Sequence, residues 1–160
     1  KCGTIDILIN NASITAFKSF IDTKPPEFDD IIETNLRGSY LMARTVLPIM
    51  MKKKRGHIIN ILSVAAHTVF TNSSAYAASK AGMLAMFNGL RAEVRKFNIK
   101  ISNVMPGATD TPMWSPATRQ KYSSRMMTPR EVAEITIQIA NQPKKVVIED
   151  VIIKPIKGDL

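Results

Sequence analysis

The sequence predicts an α/β domain built on a mainly parallel sheet. Two observations carry this. Short apolar runs closed by polar or turn-forming residues alternate along the chain with longer segments of helical periodicity. The runs are also mainly apolar, as strands covered on both faces tend to be. Ile5 to Ile9, closed by Asn10-Asn11, reads as the first buried strand. From Pro26 to Met51 the apolar positions Phe28, Ile31, Ile32, Tyr40, Ala43, Val46, Leu47 and Met50 keep helical spacing. Gly56 opens a second strand, His57 to Leu62, and a second helix runs from Ser74 to about Phe97 with Leu84, Phe87, Leu90 and Val94 on its apolar side. Ile99 to Met105 forms a third strand, ended by Pro106-Gly107. Thr128 as N-cap, Pro129 in the first turn and Glu131 completing a capping box start another helix, which stops before Pro143. Val146 to Ile153 is the last strand.

Composition narrows the function classes. A chain of 160 residues, 45% hydrophobic and 22% charged, fits one soluble domain that buries roughly two-thirds of its unfolded surface. No apolar run approaches the ~20 residues that span a bilayer, and no charged-then-apolar leader opens the chain. The one cysteine, Cys2, cannot form an internal disulfide, so a reducing, cytoplasmic setting is expected. Cys2, His57 and His67 cannot build a zinc site from soft ligands, and no metal is expected. The formal charge of +9 is uneven: residues 1–36 carry more acidic than basic groups, and the densest basic run is Lys52-Lys53-Lys54-Arg55. That run reads better as a helix C-terminus than as a nucleic-acid patch, because few aromatics interleave with the cations. Neither nucleic acid nor a membrane is expected as a partner.

Chemistry gathers at the strand ends, where open parallel sheets bind ligands. Asn10-Asn11-Ala12-Ser13, Ser63-Val64-Ala65 and Pro106-Gly107-Ala108-Thr109 would form one polar rim. Tyr76 and Lys80 lie four apart on a helix and share a face. A phenol is a poor proton donor or acceptor at neutral pH, and an adjacent ammonium would draw its pKa down into the working range. Such a spacing also arises by chance on helix surfaces. Here Ala75, Ala77, Ala78, Ala81 and Gly82 surround the pair and permit close approach of a backbone or ligand. Asn35 falls on or beside the apolar stripe of the first helix; a buried amide there either ties down backbone or holds a water.

Together, Asn10-Asn11-Ala12-Ser13, Asn35, Ser63, Tyr76-x-x-x-Lys80 and Pro106-Gly107 resemble the ordered signature of the short-chain dehydrogenase/reductase family, over residues 3–155. The likeness is greatest to its single-domain branch, which includes the 3-oxoacyl-acyl-carrier-protein reductases. The resemblance implies a Rossmann-like, doubly wound parallel sheet, of which this chain holds the C-terminal part, about four strands with flanking helices. It implies carbonyl–alcohol interconversion with NAD or NADP. Tyr76 would exchange the proton, Ser63 would hold the substrate oxygen, and Lys80 would tune Tyr76 and bind the ribose. Asn35 would position a water. Asn11, Pro106, Gly107, Thr109 and Thr111, with Tyr76 and Lys80, would contact the cofactor. The segment from Met113 and Trp114 to Met126-Met127 would form a lid over the substrate, or pack against the chain's own helices. A homodimer or homotetramer is expected.

Two departures stand out. Ser13 replaces the family's usual glycine, and a Cβ there demands a different backbone angle or crowds the cofactor. The glycine-rich turn that holds the ADP portion has no counterpart: the seven glycines give no dinucleotide fingerprint. Residues 1–160 therefore read as one partial Rossmann-type domain. The competing reading is an inactive fragment or an oligomeric binding module lacking half its cofactor site. Nicotinamide-dependent epimerases and dehydratases can share Tyr-x-x-x-Lys and would turn over without net cofactor oxidation.

Overall fold

A computed structural model describes residues 3–160; Lys1 and Cys2, with the cysteine-based reading, lie outside the described residues. Four parallel strands, β1 (Ile7–Asn10), β2 (Gly56–Ile61), β3 (Ile99–Pro106) and β4 (Asp150–Ile153), pair in sequence order to form one sheet. The helices are α1 (Pro25–Ile31), α2 (Gly38–Lys53), α3 (Ser74–Val94), α4 (Pro116–Tyr122) and α5 (Pro129–Ala140). This is the Rossmann-like α/β arrangement.

Both faces of the central strands are covered. On one side Leu8, Ile58 and Ile101 pack with Ala43, Val46 and Met50 of α2 and Met83 and Phe87 of α3. On the other, Ile59 and Val104 meet Ile139 of α5. That second layer stops short of β1, whose Ile7 and Ile9 are about half exposed. The apolar run at 5–9 is thus buried on one face only.

The first helical segment departs from regular periodicity. Between α1 and α2, Ile32–Arg37 form a π-helical stretch, an insertion that advances the helix by an extra residue per turn. Gly82 of α3 lies against this stretch: a Cβ there would meet Leu36 Cδ2 at 3.1 Å. The small residues around Tyr76 and Lys80 accordingly include one that admits a neighbouring helix. The basic run closes α2, as expected: Lys52 and Lys53 occupy the last turn, and Lys54 adopts the left-handed cap conformation at φ 50°. Arg55 then pairs with Asp6 at 2.6 Å.

The last strand is shorter than its apolar run, beginning at Asp150 rather than Val146. Asp150 is the fourth rung of a polar ladder through the sheet. Asn10, Asn60, Asn103 and Asp150 occupy mutually paired positions. Asn10 Nδ2 donates to Asn60 Oδ1 (2.8 Å), Asn60 Nδ2 to Asn103 Oδ1 (2.9 Å) and Asn103 Nδ2 to Asp150 Oδ1 (2.8 Å). The buried Arg91 of α3 closes the ladder, donating to both Asp150 carboxylate oxygens. Burial raises the Asp150 pKa, but the hydrogen bonds from Arg91 and Asn103 outweigh it and hold the carboxyl below its ordinary value.

Candidate active site

Three strands end at one opening. Asn11 and Ser13 follow β1, Ser63 follows β2, and Pro106 to Thr109 close β3. With Tyr76 and Lys80 of α3 they line a single cavity of about 590 Å³. Thr111 also lines it, so every sequence-predicted site residue except Asn35 reaches the same space.

Ser63 caps a short 3-10 turn, Val64–Ala66, its Oγ accepting the Ala65 N–H at 3.1 Å. The hydroxyl proton remains free to donate. Tyr76 is half-buried two residues into α3, and Lys80 stands one turn later, 1% exposed, with Nζ 5.5 Å from the Tyr76 ring centroid. Lys80 Nζ donates to Ile61 O at 3.0 Å, which uses one of its three protons. Burial lowers the Lys80 pKa to about 8. Burial also raises the Tyr76 pKa above its ordinary value, against the pull of the Ser63 and Ser13 hydroxyls. The expectation that Lys80 draws the phenol down is therefore not met in this structure, where desolvation dominates and Tyr76 stays protonated.

Asn35 lies behind the cavity, fully buried in the π-helical stretch. Its Oδ1 accepts the Ile14 N–H (2.8 Å), while Nδ2 donates to Ile14 O and Ser79 Oγ (both 2.9 Å). The side chain is committed to protein partners, the backbone-tying option of the two left open by the sequence. Ser79 Oγ in turn donates to Tyr76 O at 2.7 Å.

The segment from Met113 to Met127 is more structured than its sequence predicts. Ser115 caps α4, accepting Thr118 N–H at 3.1 Å, and Pro116 stands in its first turn. Its base is fastened where Met127 N–H donates to Ala108 O and Asp110 N–H to Met127 O. Trp114 Nε1 donates to Thr109 O at 3.0 Å. Its ring stacks on Phe17, centroids 5.1 Å apart and planes within 15°. Both rings line the cavity, with Phe70 and Met113. Phe17 was invisible to sequence reasoning because its partner lies in a distant segment.

Gly107 turns beneath the C-terminal residues: a Cβ would meet Pro155 Cδ at 3.2 Å and Lys154 Cα at 3.5 Å. Among the described residues no cluster of three or more His, Cys, Asp or Glu could hold a metal ion. No described helix is long and apolar enough to cross a membrane.

This geometry has counterparts. Among curated proteins, the chain is 36% identical over 160 residues to sepiapterin reductase from Chlorobaculum tepidum, covering 100% of this chain and 65% of that protein. It is 31% identical over 154 residues to an uncharacterised oxidoreductase from Staphylococcus aureus, covering 96% of this chain and 66% of the relative. The chain thus spans about two-thirds of the length of these relatives. Among solved structures, a metagenomic short-chain oxidoreductase in complex with NADP superposes with a TM-score of 0.80 at 31% identity, over 96% of this chain and 62% of the other. Serine dehydrogenase from Escherichia coli gives 0.86 at 26% identity, over 98% and 66%. The sequence profile described as short chain dehydrogenase matches residues 1–122, which take in β1, the π-helical stretch, Ser63, the Tyr76–Lys80 turn and the Pro106–Gly107 turn. The chain belongs to the short-chain dehydrogenase family.

Proposed function

We propose that the protein is an NAD(P)-dependent oxidoreductase that interconverts a carbonyl and a secondary alcohol, with Tyr76 as the proton donor and acceptor. The observation that carries this reading is the shared cavity, into which Asn11, Ser63, Tyr76, Lys80, Pro106, Gly107, Thr109 and Thr111 converge from separate segments. The residues fit a nicotinamide nucleoside. Lys80 keeps two ammonium protons that would serve the ribose hydroxyls, and Asn11 and the Pro106 to Thr111 turn, which line the same cavity, would hold the nicotinamide. A bound nicotinamide supplies or accepts the hydride. The chain's own residues supply the rest. Ser63 donates a hydrogen bond to the substrate oxygen, keeping its own proton, and fixes that oxygen beside Tyr76. Tyr76, kept protonated by burial, gives its proton to that oxygen as the carbonyl is reduced. Asn35 acts as the brace that sets the β1 loop against α3.

The stacked Phe17 and Trp114 support a substrate with a flat ring. The relative named sepiapterin reductase supports a heteroaromatic ketone. The aromatic pair favours such a ring over the extended acyl chain implied by the likeness to acyl-carrier-protein reductases. We further read residues 1–160 as one partial Rossmann-type unit of a cytoplasmic homodimer or homotetramer; the exposed Met42 and Ile49, two turns apart on one side of α2, offer apolar surface for the contact.

Trp114 is the single tryptophan, so its fluorescence tests the reading directly. A planar aromatic ketone should quench it, and the same ketone should drive oxidation of NADH or NADPH. No oxidation with either nicotinamide would overturn the enzymatic assignment. Quenching without turnover would favour the binding-module reading, which the half-exposed flank of Ile7 and Ile9 supports.

A further inference from the structure

Ser13 stands where the family resemblance implies glycine, and the structure gives its hydroxyl a defined surrounding. Ser13 lines the cavity with Ser63 and Tyr76. Its Oγ is buried and makes no hydrogen bond to any protein group. A buried hydroxyl without a partner is unfavourable, so it is retained where a ligand or a charge that develops during reaction can satisfy it.

The hydroxyl is also held in place. The next residue, Ile14, is gripped through both its N–H and its C=O by Asn35, at 2.8 and 2.9 Å. The same Asn35 donates to Ser79 Oγ, and Ser79 Oγ donates to Tyr76 O. One buried amide therefore braces the loop that carries Ser13 against the turn of α3 that carries Tyr76. Ser13, Ser63 and Tyr76 line the same cavity, and both hydroxyls pull the phenol toward its ionised form against its burial.

We propose that Ser13 is a second hydroxyl on the reacting oxygen of Tyr76, donating a hydrogen bond to the phenolate formed when Tyr76 gives up its proton. This rests on the proposed role of Tyr76. The proton leaves the Tyr76 oxygen for the substrate oxygen, the bonding pair stays on Tyr76, and Ser13 keeps its own proton throughout. Ser63 is then free to serve the substrate oxygen alone. The other ionisable groups that share the cavity are Lys80 on α3, Tyr122 on α4 and Asp159 in the C-terminal segment.

The test is a tyrosinate absorbance titration of the purified protein without cofactor. Subtracting the Tyr76→Phe curve removes Tyr40 and Tyr122. Ser13→Ala and Ser13→Gly should each raise the Tyr76 midpoint by about one pH unit, the size of a single charge-assisted hydrogen bond. Ser13→Thr, which keeps the hydroxyl, should restore it. In turnover, carbonyl reduction should fall about tenfold in kcat for Ala and Gly, with the KM for nicotinamide unchanged. Coincident titrations of parent, Ala and Gly variants would overturn the proposal. Thermal unfolding of all three identifies any variant that fails to fold, and the Gly–Thr comparison then decides. Retained turnover in Tyr76→Phe would overturn the function reading instead, and the absorbance titration would still decide on Ser13.

Discussion

Tyr76 and Lys80 share one turn of α3, and burial moves their pKa values in opposite directions, the phenol up and the ammonium down to about 8. Each is pushed toward its neutral form. For Tyr76 this favours the acid form that the proposed carbonyl reduction needs. Tyr76→Phe should lower kcat by about a thousandfold while leaving the nicotinamide dissociation constant nearly unchanged, measured by steady-state kinetics and cofactor titration. For Lys80 there is a stability consequence. Its folded pKa of about 8 lies below the ordinary 10.5, so between those values the unfolded chain binds more protons and stability rises with pH. The stabilisation is complete above 10.5 and lost as pH falls through 8. Lys80→Met should therefore be more stable than the parent at neutral pH, by up to about 3 kcal/mol. The gap in unfolding free energy should narrow as pH rises from 8 to 10.5. His57 shows the same sign in the acid range. Burial between strands, aided by Lys100, lowers its pKa to about 4, and its Nε2 hydrogen-bonds Ser102 Oγ at 2.8 Å. Acid should cost stability between pH 6.5 and 4, and His57→Gln should flatten that limb of a denaturation series.

At the scale of elements, legibility followed the range of the interactions. α3 was readable to within a residue at its start, and the Thr128 capping box of α5 is present as its spacing predicts. Both rest on contacts within one turn. The same logic marks α4, since Ser115-Pro116 repeats the N-cap and proline pattern of Thr128-Pro129; that signal was there to be read. The π-helical stretch was not. It is held by Asn35 reaching to Ile14 and Ser79, distant contacts that periodicity averages away. Asn11, Ser63 and the Pro106–Gly107 turn could be placed at one rim because parallel strands put their C-terminal ends together. The Phe17–Trp114 stack could not, because it joins two segments far apart in the chain. Asn35→Ala would delete three hydrogen bonds and leave the Ile14 N–H and C=O without their partner, while Ser79 Oγ keeps its bond to Tyr76 O. It should cost about 3 kcal/mol in chemical denaturation and loosen the β1 loop, visible as faster amide exchange at Ile14.

Over the whole molecule, the sheet is covered unevenly. β2 and β3 are buried on both faces, while β1 presents Ile7 and Ile9 half exposed on a free edge. An apolar edge of this kind pairs readily with other chains. The 160-residue chain studied alone should associate at concentrations where Ile9→Lys remains dispersed, as light scattering would show, with little change in unfolding midpoint. The opposite face needs no such protection, because α2 and α3 seal it with a continuous apolar layer.

The asparagine ladder bears on how such a sheet finds its alignment. Apolar burial enforces parity only: sliding a strand by one residue exposes its core face, but sliding by two returns the same faces inward. Four strands rich in isoleucine and valine could satisfy that rule in several ways. The amides cannot. A two-residue slip of β3 against β2 would set Asn60 opposite Ile101 or Met105, both buried, and leave the Asn60 Nδ2 donor and the Asn103 Oδ1 acceptor without each other. Burial makes the strands stick, and four polar side chains decide where, so the Asn11, Ser63 and Pro106 ends arrive level with one another.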